Sequence, residues 1–239
     1  MLIYKKYFKD KKIIITGHTG FKGSWLTLCL SILGANILGI SKDYPAHPCH
    51  FKDLKLDKKI RHHLLDIKDV KKLKKIFEKF QPDYVFHLAA QAIVSKSYDD
   101  PIETFNSNTI GTLNVLESLR GVKKCRAVII TSDKSYKNLE INRGYFENDL
   151  IGGNDPYSGS KGAAELIINS YVKSFFNDKK INLAIARAGN VIGGGDWSKD
   201  RIIPDCFKSW GKNKSINIRN PKSTRPWQHV LDVLRGYII

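Results

Sequence analysis

Tyr157 and Lys161 stand four residues apart in the run Asp155-Pro-Tyr-Ser-Gly-Ser-Lys161. A phenol titrates near ~10, so a tyrosine that takes a proton near neutral pH needs a nearby cation to favour its phenolate. Residues four apart share a helical face, which lets the Lys161 ammonium reach the phenol or a group bound beside it. The same stretch predicts the helix: Asp155 suits an N-cap, and Pro156 suits the first helical position, where no amide hydrogen is missed. On spacing alone an ordinary surface helix is the readier reading, and the rest of the chain reverses it.

A second group of reactive side chains follows a β-branched run at 126–130. Thr131-Ser132-Asp133-Lys134 places a hydroxyl, a carboxylic acid and an amine at the carboxyl end of a predicted central strand. Earlier segments predict a cofactor crevice. Residues 12–16 read as a strand running straight into Gly17-His-Thr19-Gly20-Phe21-Lys22-Gly23, with an apolar helical pattern behind it. Glycines there permit a tight turn and let a pyrophosphate approach the amides at the helix's positive end, so Gly17, Thr19, Gly20, Phe21, Lys22 and Gly23 form the expected cradle. The alternative is a tight turn without a ligand.

The next strand, 36–40, ends at Ser41-Lys42-Asp43. A nicotinamide dinucleotide site usually has an acid here, ~20 residues beyond the glycines, to bind the adenosine ribose. Ser41 occupies that tip, which leaves the choice between NAD and NADP open. A strand at 61–65 leads to Asp66-Ile67, placed to bracket an adenine, and Asp69 is expected to cap the helix that follows. The strand at 83–88 gives way to Leu88-Ala89-Ala90-Gln91, where small residues leave room for the cofactor. Asn108 lies on a largely apolar helical pattern starting near Pro101, and is expected to hold backbone groups near the active site. The alternation of short strands and helices predicts an α/β fold with a doubly wound parallel sheet. Residues 1–187 would form the dinucleotide-binding domain carrying the catalytic groups, and 188–239 a smaller substrate lobe.

Taken together, Thr-Gly-His-Thr-Gly-Phe-Lys-Gly, His-Leu-Ala-Ala-Gln, Thr-Ser-Asp-Lys, Asp-Pro-Tyr-Ser-Gly-Ser-Lys, Arg187-Ala-Gly-Asn190-Val-Ile-Gly-Gly-Gly-Asp-Trp197 and Arg225-Pro-Trp-Gln-His229 resemble the extended short-chain dehydrogenases. Within this NAD-dependent epimerase/dehydratase family the chain looks like the branch acting on CDP-glucose. The resemblance implies a Rossmann domain, NAD as cofactor, a nucleotide-sugar substrate and a redox-neutral loss of water. Tyr157 would take the proton of the sugar 4-hydroxyl, Ser132 would polarise that hydroxyl, and Lys161 would hold the nicotinamide ribose. Asp133 matches the acid that expels the 6-hydroxyl. Lys134 replaces the Glu that serves as carbon-5 base in the dTDP-glucose relatives, so it acts either as a neutral amine base or as a cation stabilising the enolate. Gln91, Asn190, Arg201 and Arg225 match substrate-binding positions. Other nucleotide-sugar dehydratases and epimerases share Tyr157 and Lys161; a dinucleotide-binding sensor would not need the proton-transfer groups. Relatives pair through the helices beginning near Pro101 and Pro156, which implies a homodimer or higher homo-oligomer.

Composition narrows the remaining classes. Of 239 residues, 40 are Lys or Arg and 23 are Asp or Glu, a net charge of +17. The basic residues are spread along the chain and not interleaved with aromatics on one element, which points away from nucleic acid and toward a lysine-rich surface or a phosphorylated small molecule. Cys29, Cys49, Cys125 and Cys206 form neither metal-ligand spacing nor a disulfide framework, and no apolar run reaches membrane-spanning length. A cytoplasmic protein without a metal is expected. The last residues fall inside an apolar helical pattern with no stop signal, so the substrate lobe is read as truncated, with Leu231, Leu234 and Ile238 on an uncovered face.

Overall fold

The computed structural model describes residues 2–176, 180–218 and 220–239. In chain order the elements are α1 (Lys5–Phe8), β1 (Lys12–Thr16), α2 (Phe21–Ile32), β2 (Asn36–Ser41), α3 (His50–Asp53), β3 (Arg61–Leu64), α4 (Val70–Phe80) and β4 (Tyr84–His87). There follow α5 (Val94–Asp99), α6 (Pro101–Phe105), a π turn (Asn106–Ile110), α7 (Gly111–Leu119), β5 (Cys125–Ile130) and a 3-10 turn (Asp133–Ser135). The chain continues through α8 (Pro156–Phe175), β6 (Ile181–Ala186), β7 (Asn190–Ile192), α9 (Ile202–Trp210), β8 (Trp227–His229) and α10 (Val230–Ile238).

β1 to β6 form one parallel sheet in the order β3-β2-β1-β4-β5-β6. The order reverses at β1, so a crevice opens at the carboxyl ends of β1 and β4, where such sheets bind ligands. Local signals place the helices. Asp69 accepts from Lys72 N at 3.1 Å and Asp155 from Ser158 N at 3.0 Å, each satisfying an amide that the first turn leaves free. Gly17 has φ +75°, and a Cβ there would lie 2.6 Å from Ala89 N. Only glycine lets β1 turn into α2 this close to the end of β4.

One core face packs α4, α7 and α8 on the sheet through Leu73, Phe77, Val115, Leu116, Leu119 and Ile168. The other packs α2 through Leu26, Leu30 and Leu33, and α10 joins it through Val230, Val233, Leu234 and Tyr237. Apolar burial is therefore continuous across residue 187, with Ala188 and α10 joining the core of the sheet domain. The uncovered face expected at the end of the chain is corrected accordingly. Leu234 is 2% exposed and Ile238 half-buried, because α10 lies along α2, whereas Leu231 is exposed. β7 and β8 pair in parallel as a separate two-stranded sheet.

Candidate active site

Ser132 caps the 3-10 turn that leaves β5. Its Oγ accepts from Lys134 N at 3.2 Å and donates to Asp133 Oδ1 at 3.0 Å. Tyr157, on the first turn of α8, is 8% exposed and lies beside Ser132. Burial pushes its pKa up, while the neighbouring Ser132 hydroxyl and the charge of Arg201 oppose the rise. Lys161 is 6% exposed, its Nζ donating to Ile130 O at 3.4 Å. Burial pushes its pKa down to about 8, and the carboxylate of Glu165 resists that fall. The turn after β5 and the start of α8 thus bring Ser132, Asp133, Lys134, Tyr157 and Lys161 together, with the lysine cationic at neutral pH.

The glycine loop meets this group from the other side. Gly20 is the N-cap of α2 and, among the described residues, no side chain caps the first turn, so the helix's positive end is open to an anion. A dinucleotide's pyrophosphate fits those amides, beside Gly20, Phe21 and the tightly packed Gly23. Lys22 donates from Nζ to the Tyr237 hydroxyl at 3.2 Å. Burial, then the charges of Lys161 and Arg201, push its pKa down to about 7, and Asp133 works the other way. Leu88, Ala89 and Ala90 remain partly exposed at the end of β4, with Ala89 N donating to Thr16 Oγ1 at 3.3 Å. Asn108 clamps this loop: Oδ1 accepts from Gln91 N at 2.8 Å, and Nδ2 donates to Gln91 O at 3.0 Å and Ser160 Oγ at 2.9 Å.

At the positions expected to meet adenosine, the side chains are engaged differently from the sequence reading. The Ser41 hydroxyl is turned inward, 2.9 Å from His18 Nδ1, and accepts from Thr19 N at 3.3 Å. Thr19 Oγ1 donates to Asp43 O at 2.7 Å, closing the glycine loop on the strand tip. Lys42 reaches away to Glu103 Oε1 at 3.1 Å, and Lys68 holds the other oxygen of that carboxylate. Asp66 accepts from Lys68 N at 2.9 Å, while Ile67 is buried and its carbonyl accepts from Asn114 Nδ2 at 3.0 Å.

Among the expected substrate contacts, Gln91 folds back on its own loop. Its Nε2 donates to Ile93 O and Thr104 Oγ1, both at 3.0 Å, and its Oε1 accepts from Ile93 N at 2.6 Å. A side chain committed to three such bonds shapes the loop instead of reaching outward. Asn190 enters β7 with its N donating to Pro226 O at 3.0 Å, which draws the two C-terminal motifs together. Arg201 Nη1 pairs with Asp196 Oδ2 at 3.0 Å, and Arg225 is exposed, with Nη1 donating to Thr224 O at 2.6 Å. The sequence reading did not single out Glu165, Arg187 or Tyr237. For Glu165 the signal was present, since it continues the four-residue step from Tyr157 through Lys161.

A family model described as GDP-mannose 4,6 dehydratase matches residues 14–239. The chain belongs to that family. It is 48% identical over 244 residues to the CDP-glucose 4,6-dehydratase of Salmonella typhimurium, covering 100% of this chain and 68% of that enzyme. Among solved structures it is similar to the epimerase Mth375 of Methanothermobacter thermautotrophicus, with a TM-score of 0.84 and 28% identity over 99% of this chain and 69% of the other. DesIV, a dTDP-glucose 4,6-dehydratase of Streptomyces venezuelae solved with NAD and TYD bound, shares the fold with a TM-score of 0.83 at 22% identity, over 95% of this chain and 70% of that one. The relatives are longer than this chain. Among the described residues, no helix is long and apolar enough to cross a membrane.

Proposed function

We propose that the chain carries the catalytic centre of a CDP-glucose 4,6-dehydratase, a lyase forming CDP-4-keto-6-deoxyglucose with no net oxidation. The observation that carries this reading is the meeting of Ser132-Asp133-Lys134 with Tyr157 and Lys161 at the carboxyl edge of the sheet; the 48% identity to the Salmonella enzyme supports the choice of nucleotide. NAD held beside the uncapped first turn of α2 would supply the hydride acceptor and donor that keep the reaction redox-neutral. Tyr157 takes the proton from the 4-hydroxyl, oriented by Ser132. Lys161 lends the positive charge that favours the phenolate. Oxidation at carbon 4 acidifies carbon 5, and Asp133 protonates the 6-hydroxyl as it leaves. Lys134, partly buried on the same turn, either removes the carbon-5 proton or stabilises the enolate as a cation. Lys134→Arg separates the two, since it keeps the charge and cannot serve as the base. Arg201 and Arg225 would bind the sugar diphosphate through their planar forks once released from Asp196 and Thr224.

The intact proton-transfer set favours an enzyme over a dinucleotide sensor, and the Asp133-Lys134 pair favours dehydration over epimerisation. Ile102, Phe105, Ile110 and Leu166 expose apolar surface on the helical run from α6 to α7 and on α8, which supports a homodimer formed there. The protein is read as cytoplasmic. Supplying CDP-glucose, dTDP-glucose and GDP-mannose in turn and detecting the 4-keto-6-deoxy product tests the assignment. Turnover of CDP-glucose alone is expected; turnover of another nucleotide sugar alone moves the assignment to that nucleotide.

A further inference from the structure

Glu165 lies four residues beyond Lys161 and eight beyond Tyr157, on one face of α8, and is 0% exposed. Its Oε1 accepts from Thr131 Oγ1 at 2.7 Å and Ser135 Oγ at 2.8 Å, and Arg187 Nε reaches its two oxygens at 2.9 and 3.0 Å. Arg187 Nη2 adds a short contact to Oε2. Thr131 and Ser135 bracket Ser132, Asp133 and Lys134. One carboxylate therefore fixes both ends of the reactive turn to the helix that carries Tyr157 and Lys161. Arg187 is held in turn by the Tyr136 ring, 4.4 Å from its guanidinium carbon, and by Glu147 O at 3.2 Å from Nη1.

A carboxylate this deeply buried stays ionised only when paired and hydrogen-bonded. Burial pushes the Glu165 pKa up, but the bonds from Arg187, Thr131 and Ser135 and the Arg187 charge outweigh it and hold the group below its ordinary value. Glu165 is thus an anion beside Lys161. Among the described residues, Lys22 on α2 and His87 on β4 also face that lysine, and Tyr157 lies one turn before it on α8. Lys22 is repelled by the Lys161 charge, and His87, pushed down to about 3 by burial and by that same charge, stays neutral. Glu165 is the neighbour whose charge supports the Lys161 ammonium.

We propose that Glu165, locked by Arg187, is a positioning residue for the dehydration, registering the Ser132-Asp133-Lys134 turn against Tyr157 and supplying the counter-charge for the Lys161 ammonium. The proposal rests on the dehydratase reading above. In the wild type, Lys161 is charged below about 8 and neutral above it, so turnover falls as pH rises through that value. Removing the Glu165 charge makes the lysine easier to deprotonate, which moves this alkaline limb to lower pH. A merely structural loss lowers the whole profile without moving it.

The experiment is the pH profile of kcat and kcat/KM on CDP-glucose for the wild type, Glu165→Gln and Glu165→Asp, with dinucleotide binding as the check on folding. Glu165→Gln is expected to lower kcat roughly tenfold or more while KM changes little, because the reacting groups lose their register. Its alkaline limb is expected to move down by about one pH unit. Glu165→Asp, which keeps the charge and shortens the reach, should restore the limb and only part of kcat. If Glu165→Gln does not fold, Glu165→Gln/Arg187→Gln removes the guanidinium together with its carboxylate partner and is read the same way. An unmoved limb, or wild-type kcat in Glu165→Gln, overturns the proposal. An NMR titration of the Lys161 Nζ in both proteins gives the charge effect without turnover. If the wild type binds dinucleotide but converts no nucleotide sugar, the dehydratase reading fails while the titration still decides what Glu165 does.

Discussion

Replacing Asn108 by alanine tests how the cofactor loop is tied to the catalytic helix. Asn108 is 1% exposed, and its three hydrogen bonds join the backbone of Gln91, at the end of the Leu88-Ala89-Ala90 segment, to Ser160, which precedes Lys161. Three neutral hydrogen bonds are worth about 1 kcal/mol each, and leaving the partly buried Gln91 peptide without partners adds a desolvation cost, so the loss comes to about 3–4 kcal/mol. Denaturant unfolding should show a lower midpoint with an unchanged slope, since the surface exposed on unfolding is nearly the same. Titration with NAD should show weaker binding as well, because the segment lining the crevice is released. Asn108→Asp is not expected to rescue either property. It keeps the acceptor for Gln91 N but turns an oxygen toward Gln91 O. If Asn108→Ala stays within about 0.5 kcal/mol of the wild type, the clamp described here carries no energy and the reasoning is wrong.

Tyr157→Phe should lower turnover about 10²–10⁴-fold while dinucleotide binding persists, since only the ionisable oxygen is lost; near-wild-type product formation would remove Tyr157 from the reaction. Glu103→Gln should release Lys42 and Lys68 from their shared carboxylate and strengthen NADP binding several-fold relative to NAD, because both ammonium groups lie near the β2 tip expected to meet the adenosine ribose. An unchanged NADP-to-NAD affinity ratio would show that neither lysine meets the ribose. His18 and His87 are held neutral, mainly by burial, with pKa values pushed down to about 4 and about 3 from 6.5. The unfolded chain binds protons at these histidines below 6.5 while the folded chain does not, so stability should fall as pH drops below 6.5. His87→Gln should flatten that decline in thermal unfolding followed against pH, and an identical slope would place the acid sensitivity elsewhere.

What the residues alone determined are features set by one local rule. A β-branched run ending in Gly17, the Asp69 cap, and Asp155-Pro156 before Tyr157 each impose their geometry on neighbours within a turn, and each stands in the structure where the sequence placed it. The step of four from Tyr157 to Lys161 belongs to the same class. Tertiary structure decided the rest, because a polar side chain binds whichever partner packing brings near. Ser41 stands at the tip of β2 as read, yet its hydroxyl turns to His18, and Gln91 spends its amide on Ile93 and Thr104. Leu234 is buried because α10 folds back over α2, more than 200 residues earlier in the chain, a meeting that no local pattern encodes. Glu165 shows the two levels together. Its spacing put it on the catalytic face of α8, but its role depends on Thr131, Ser135 and Arg187 converging from the ends of two other strands, and burial is what gives that convergence its electrostatic strength.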